Sequence, residues 1–343
     1  MTFTVTLSKS GRTFQVEADE PILTAALRQG IGLPYGCKNG ACGSCRGLVK
    51  HGEVEHGPHA ASALPNDEKA RGCALLCCAE ARSNLEIDIR EVSGAGDIPL
   101  KKLPVRVNVL ERAADDVMIM RLQLPANERL QYVAGQYIDF MLRDGVRRSY
   151  SIATPPHHEG LMELHIRHMP GGVFTDHVFS AMKEREILRF EGPLGTFFLR
   201  ESLPTPIVFL ASGTGFAPIK AMIEHAIHSK IERQMTLYWG ARQRKDLYMK
   251  ALAEQWALEL PHFRFVPVLS EPAPQDAWQG RTGLVHQAVI NDLPDLSQHQ
   301  VYACGAPVMV EAARRDFTLH HGLPPDEFYA DAFTTAADLA NPV

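Results

Sequence analysis

The chain has 343 residues, 45% hydrophobic and 22% charged, with a formal net charge of −5. That length asks for two or three domains, and the thin negative balance offers neither the basic footprint of a nucleic-acid binder nor a polybasic membrane patch. The opening MTFTVTLSKSGRTF alternates where a signal peptide needs an apolar run, and no stretch nears the ~20 apolar residues of a membrane span, so a cytoplasmic location is expected, with no nucleic-acid or membrane partner.

Residues 1–92 read as one domain. Strands are expected at Phe3–Leu7 and Thr13–Val16, then a short helix over ILTAALRQG, N-capped by Asp19, with Pro21 in its first turn and Gly30 as its stop. After a cysteine loop come a strand over LVKHGEVEH and a closing strand over Asn84–Ile89. Charge in this domain nearly balances, so a docking partner of mixed polarity is expected over one steered by a strongly acidic face.

Of the seven cysteines, Cys37, Cys42, Cys45, Cys73, Cys77 and Cys78 lie close together and Cys304 stands apart. In a reducing compartment such clustering points to metal ligation over disulfides. Cys37 and Cys42 are separated by four residues, Cys42 and Cys45 by two, and Cys45 and Cys77 by 31. This is plant-type [2Fe–2S] spacing. Gly36, Gly40 and Gly43 would let the loop curl and aim backbone N–H groups at sulfur. A four-cysteine zinc site is the alternative, but such sites come as paired knuckles and only one C-x2-C pair is present. Cys77 and Cys78 compete for the fourth ligand position. Cys73 reads as a small buried hydrophobe.

Residues 93–103, rich in Gly and Pro, read as a linker. Residues 104–200 carry short β-type runs at close intervals, the pattern of an antiparallel barrel or sandwich. Residues 201–343 alternate apolar strands (PIVFLA, MTLYWGA, FRFVPVLS, QVYACGA) with helical stretches, which argues for βαβ units around a parallel sheet. PIVFLA runs into Ser212-Gly213-Thr214-Gly215-Phe216-Ala217-Pro218, where glycines turn the chain and open a helix N-terminus to a pyrophosphate. The pairs His157-His158 and His320-His321 read as surface residues, and no paired-carboxylate or Ser-His-Asp pattern stands out.

Arg148-Ser149-Tyr150-Ser151 resembles the R-x-Y-S motif of the ferredoxin–NADP reductase superfamily, as Gly213–Pro218 resembles its G-T-G-x-A-P. The resemblance implies that Arg148 pairs with the FAD pyrophosphate, Tyr150 stacks on the isoalloxazine and Ser151 bonds near flavin N5. It also implies a second phosphate turn at Gly171-Gly172-Val173-Phe174-Thr175, with the backbone of His165, Ile166 and Arg167 lining the flavin. Gly192-Pro193-Leu194-Gly195 resembles its barrel-closing turn, and Cys304-Gly305-Ala306-Pro307 a motif whose cysteine approaches the nicotinamide. By the same resemblance Phe333 covers the flavin until nicotinamide displaces it, and Asp331 matches a position where relatives place Glu. Cys77, after Leu75-Leu76, matches the fourth ligand of these families. The basic group Arg242, Arg244 and Lys245 leaves NADPH open beside NADH.

The whole chain thus resembles a multidomain iron–sulfur flavoprotein reductase. The implied folds are a β-grasp ferredoxin-like α+β domain (1–92), an antiparallel β-barrel FAD domain (104–200) and an α/β parallel-sheet nucleotide-binding domain (201–343). Electrons would pass from NADH or NADPH through FAD to a [2Fe–2S] cluster and on to a protein acceptor. Most members that it resembles serve an oxygenase component, whereas LHIRHMPGGVFTDHVF, YWGARQRKDLY and FYADAF are similar to reductases serving a CDP-sugar dehydrase. A free flavin or ferric reductase with an auxiliary cluster, and a zinc-bearing interaction module, are the competing readings.

Overall fold

The opening alternation folds as a hairpin, β1 (Thr2–Leu7) against β2 (Thr13–Glu17), with Val5 opposite Phe14. In the structure, a computed structural model describing residues 1–92 and 98–334, the chain divides into two compact units. The first takes the described residues of Met1–Pro99, together with Gly195–Phe197 and those from Asp331 on; the second takes Leu100–Leu194 and Phe198–Ala330.

In the first unit α1 (Ile22–Arg28) follows the hairpin, then β3 (Arg46–His51), β4 (Val54–His56), α2 (Asn66–Ala70), β5 (Cys73–Leu75), β6 (Ala79–Ala81) and β7 (Leu85–Asp88). Five strands form a sheet in the order β2-β1-β7-β3-β5, with β1 and β7 parallel at its centre. The apolar face of α1 (Ile22, Leu23, Ala25 and Ala26) packs into a core with Leu7, Phe14, Val16, Leu76 and Ile87. This is the β-grasp arrangement. Three local expectations are corrected. LVKHGEVEH is two strands, broken at Gly52, whose φ is +95°. Asp19 caps nothing, because Pro21 takes the N-cap position and the helix starts at Ile22. Cys73 is half-buried, not buried.

Thr196 is bound into this unit by three bonds: its N–H and hydroxyl donate to Tyr35 O (3.2 and 3.0 Å), and Tyr35 N–H donates to Thr196 Oγ1 (2.9 Å). Arg46, at the start of β3, pairs with Glu68 and donates to Ala63 O. Both side chains are largely enclosed, at 10% and 20% exposure, so removing one strands the other's charge. Arg46→Met is expected to cost about 3 kcal/mol in chemical denaturation, and adding Glu68→Met to recover most of it. Equal losses in single and double variants would sink that account.

The second unit opens with β8 (Lys101–Ala114), β9 (Val117–Gln123), β10 (Tyr137–Met141), β11 (Arg147–Ser151), β12 (Met162–Arg167), α3 (Val173–Ser180) and β13 (Ile187–Leu194). The six strands form an antiparallel sheet ordered β11-β10-β13-β8-β9-β12. Its two edges meet at the bridge between Ile152 and Leu164, so the sheet curls around Met120, Ile138, Phe140, Leu164 and Phe190. Two sequence expectations shift here. The last three positions of the 93–103 linker are already strand, and residues 93–97 lie outside the described residues. Gly192, Pro193 and Leu194 are in β13, not a turn. Proline is tolerated there because the β10 ladder opposite slips register between Tyr137 and Asp139, leaving room for a missing donor.

The rest of the second unit is β14 (Ile207–Ser212), α4 (Phe216–His228), β15 (Met235–Ala241), α5 (Lys250–Glu259), β16 (Phe263–Leu269), β17 (Arg281–Thr282), α6 (Val285–Asp292), β18 (Gln300–Gly305), α7 (Pro307–His320) and the start of β19 (Phe328–Ala332), whose Asp331 and Ala332 count with the first unit. The sheet order is β17-β16-β15-β14-β18-β19, and the first five of these strands are parallel. The chain steps outward from β14 to β17 and then returns to place β18 on the other side of β14. Ligands of such sheets bind at this reversal, beyond the carboxyl ends of the strands. Among the described residues no helix is long and apolar enough to cross a membrane.

Candidate functional site

At the reversal, two loops interlock so closely that only glycine fits. A Cβ on Gly215 would lie 2.1 Å from Cys304 O, and one on Gly305 would lie 2.2 Å from Ser212 Oγ. Gly305 also has φ +132°, a conformation that side chains disfavour. Ser212 Oγ accepts from Ala306 N–H (2.9 Å), and Trp239 Nε1 donates to Gly213 O (3.0 Å), which holds the loop from below. Gly213–Gly215 form one tight turn, and Phe216 begins α4 with Pro218 in its first turn. Phe216 stacks on Trp239 with centroids 4.0 Å apart. Gly213, Thr214, Gly215, Pro218, Cys304 and Gly305 are thus brought together at the strand ends, with Cys304 fully buried. Of the expected basic group, Lys245 is paired with Asp115 and Arg244 bonds Asp276; Arg242 is exposed.

On β11 the alternation puts Arg148 and Tyr150 on one face and Ser151 on the other. Tyr150 packs against Phe140 and Phe174 at 5.9 and 5.4 Å between centroids, and burial pushes its phenol pKa up. Arg148 Nη1 donates to Arg147 O (2.8 Å). Ser151 Oγ is buried with no hydrogen-bond partner. A buried hydroxyl is rarely left so, and a flavin edge would satisfy it. The residues fit FAD on that observation.

The second phosphate turn departs from expectation. Gly172 N-caps α3, with Val173 as its first residue, but the Thr175 hydroxyl donates to Met169 O (2.9 Å) and is spent inside the turn. Gly171 N–H donates to the Asp176 carboxylate (3.1 Å), whose other oxygen pairs with His168. An acidic side chain therefore occupies part of the expected anion cradle.

His165 and Ile166 are buried and paired along β9, while Arg167 pairs with Asp116 and its guanidinium fills the space beside Gly213. His165 also opens a polar network that the sequence did not disclose. Its Nε2 faces Glu163 Oε1 at 3.1 Å and its Nδ1 faces the Tyr248 hydroxyl at 2.8 Å. Burial lowers the His165 pKa, and a carboxylate can only accept. The neutral ring therefore donates from Nε2 and accepts Tyr248 O–H at Nδ1. Lys220 and Arg121 complete the network around Glu163.

In the first unit the cysteine loop brings Cys37, Cys42, Cys45 and Cys77 together as two hydrogen-bonded pairs, Cys37 with Cys42 and Cys45 with Cys77. Among the described residues no three His, Cys, Asp or Glu side chains converge on one ion position. Two thiols per metal, twice over, fits a binuclear cluster. Ala41 and Cys42 N–H donate to Cys37 Sγ (3.4 and 3.3 Å), and Cys37 N–H donates to Cys42 Sγ (3.3 Å). Gly40 and Gly43 take positive φ as expected, whereas Gly36 does not. Gly36 instead makes room: its Cβ would lie 3.1 Å from Asp331 Oδ1 and 3.2 Å from Cys42 Sγ. Asp331 thus packs against the cysteine loop, and burial, helped by Cys42, raises its carboxyl pKa to about 7. Phe333 follows β19, half-buried; the tail from residue 335 on lies outside the described residues. Cys78 turns its thiol to Leu75 O (3.6 Å).

Three family models match in order: a 2Fe-2S iron-sulfur cluster binding domain over residues 5–82, an oxidoreductase FAD-binding domain over 104–199 and an oxidoreductase NAD-binding domain over 209–315. The chain is 43% identical to the CDP-6-deoxy-L-threo-D-glycero-4-hexulose-3-dehydrase reductase of Yersinia pseudotuberculosis, over 97% of this chain and 99% of that one. It is 34% identical to reductase component 2 of a Comamonas terephthalate 1,2-dioxygenase, over 98% of each. Among solved structures, the Amycolatopsis cytochrome P450 reductase GcoB matches with TM-score 0.75 and 34% identity, covering 97% of this chain and 99% of that one.

Proposed function

The chain belongs to the NAD(P)H-dependent iron–sulfur flavoprotein reductases of the ferredoxin–NADP reductase superfamily, and on that premise we propose that it feeds single electrons from NADH to a CDP-sugar dehydrase in the cytoplasm. The observation that carries the electron-delivery reading is the paired-thiol loop with its backbone donors aimed at sulfur. Preference for the dehydrase over an oxygenase component rests on the higher identity to the Yersinia reductase.

FAD supplies the step from a two-electron donor to one-electron carriers, and the cluster carries those electrons singly. The chain's own part is placement. Gly213–Pro218 and Cys304–Gly305 form the floor on which a dinucleotide's pyrophosphate and nicotinamide would rest. Ser151 offers a buried hydroxyl to the flavin edge, Tyr150 an aromatic face and Arg148 a charged fork for the pyrophosphate. Gly171, Gly172 and Val173 would approach the same pyrophosphate through backbone. Cys37, Cys42, Cys45 and Cys77 would hold the cluster, and Phe333 would shield the ring until substrate arrives. Arg242 is the basic side chain best placed to meet a 2′-phosphate, so NADPH is the second donor to test.

Anaerobic titration of the purified protein with NADH, followed by visible absorption and low-temperature EPR, tests this reading. Bleaching of both chromophores with a rhombic one-electron signal is expected. Bleached flavin beside an oxidised cluster would favour the free flavin reductase reading, and a colourless, unresponsive protein after reconstitution would overturn the assignment.

A further inference from the structure

The motifs of the proposed redox site lie on separate segments of the second unit, Ser151 at the end of β11 and Gly213–Pro218 at the mouth of β14. One buried ammonium joins them. Lys220, two residues past Pro218 on α4, is 6% exposed in the middle of an otherwise apolar run. Its Nζ donates to Ala153 O (3.1 Å), two residues past Ser151. It also lies 3.4 Å from Glu163 Oε1 and donates to Glu224 Oε2 on its own helix (3.0 Å). Glu163 in turn binds Arg121 (2.9 Å) and His165, and His165 binds Tyr248. Ala153 N–H closes the ring by donating to Glu163 O (2.8 Å).

Burying a lysine is costly unless the charge is fully met, and a hydrophobic residue would fill this helix position more cheaply. The charge is met instead by groups on two segments, Ala153 O and Glu163 on one side and Glu224 on its own helix. Burial alone would raise the Glu163 carboxyl pKa, but His165, Lys220 and Arg121 bring it to about 2, so this carboxylate is ionised at neutral pH. The network borders a cavity of about 470 Å³, reached by Arg121, Thr154, His158, Glu163, Lys220 and Glu224. A ligand there would have to break bonds that these side chains already make among themselves.

We propose that Lys220 is a positioning residue for hydride transfer, fixing the dinucleotide loop against the strand end that carries Ser151 through Ala153 and Glu163. The proposal rests on the site assignment above, under which hydride must cross between these two segments. A shift of about 1 Å between donor and acceptor costs on the order of 100-fold in rate. Binding of each cofactor to its own segment would change little.

The test is stopped-flow reduction of the holoprotein by NADH, comparing wild type with Lys220→Met, Lys220→Arg and Glu163→Gln. Flavin content, the NAD+ dissociation constant and the long-wavelength charge-transfer absorbance are read alongside. Lys220→Met is expected to keep stoichiometric FAD and a dissociation constant within about 3-fold, while its limiting rate of flavin bleaching falls 10- to 100-fold and the charge-transfer band weakens. Lys220→Arg should recover part of the rate. Unchanged limiting rates in both Lys220→Met and Glu163→Gln would overturn the proposal, as would loss of rate only in proportion to loss of FAD. Should Lys220→Met not fold, Glu163→Gln, which keeps its size, decides by the same readouts. Wild-type protein that neither NADH nor NADPH bleaches would overturn the site assignment itself, and the positioning role with it.

Discussion

Replacing Cys77 with alanine is expected to remove the iron–sulfur chromophore and its EPR signal while NADH still bleaches the flavin, whereas Cys78→Ala keeps all three. The two thiols are sequence neighbours, so composition cannot separate them. Cys77 is buried, shares hydrogen bonds with Cys45 and with Cys78, and receives the backbone N–H of Gly40. Together these favour its thiolate against burial, and a thiolate is what iron binds. Cys78 is the thiol partner of that sulfur, hydrogen-bonded to Cys77 and facing Leu75 O, which holds a thiol and repels a thiolate. Iron content should fall from two atoms per chain to near zero in Cys77→Ala. Electron delivery to any one-electron protein acceptor should drop to background. A rhombic signal surviving in Cys77→Ala but absent from Cys78→Ala would reverse the assignment.

Gly215→Ala is the second large effect. The added methyl would meet Cys304 O at 2.1 Å and its carbonyl carbon at 2.4 Å, both backbone atoms of strand β18. No side chain can swing aside, so one loop must move. A destabilisation on the order of 3 kcal/mol is expected, with flavin reduction by NADH slowed on the order of 100-fold. Reduction by dithionite, which needs no dinucleotide cradle, should be unaffected. Gly11→Ala is the control. It takes φ +73° but meets nothing within 4 Å, so it should cost about 1 kcal/mol and leave activity intact. Gly215 has φ −57°, open to any residue, so equal stability losses in the two variants would show that the close approach is not what makes Gly215 necessary.

The parallel sheet was legible because its strands are continuous apolar runs bounded by glycine turns: MTLYWGA is β15 residue for residue. The thiol loop was legible because four ligands on two irons impose a spacing. Bonds between residues distant along the chain left no such trace. Glu163 meets Lys220 across 57 positions and His165 meets Tyr248 across 83. The one local hint was a lysine inside the apolar run APIKAMI. Gly192–Leu194 misled because the turn was carried over from a family motif, whereas the slipped register of the neighbouring strand admits this proline to a ladder. Thr175 misled in the opposite way: its hydroxyl suits an anion site, and the turn's own backbone uses it first.

The β-grasp unit is assembled from three separate stretches of chain. Tyr35 is held by Thr196, and the wall beside Gly36 is supplied by Asp331. A chimaera that exchanges only the first 99 residues between two reductases would therefore inherit one parent's cysteine loop and the other parent's supports for it. Transplanting this electron port as a working part means carrying all three pieces, so a single cut in the gene after residue 99 does not suffice.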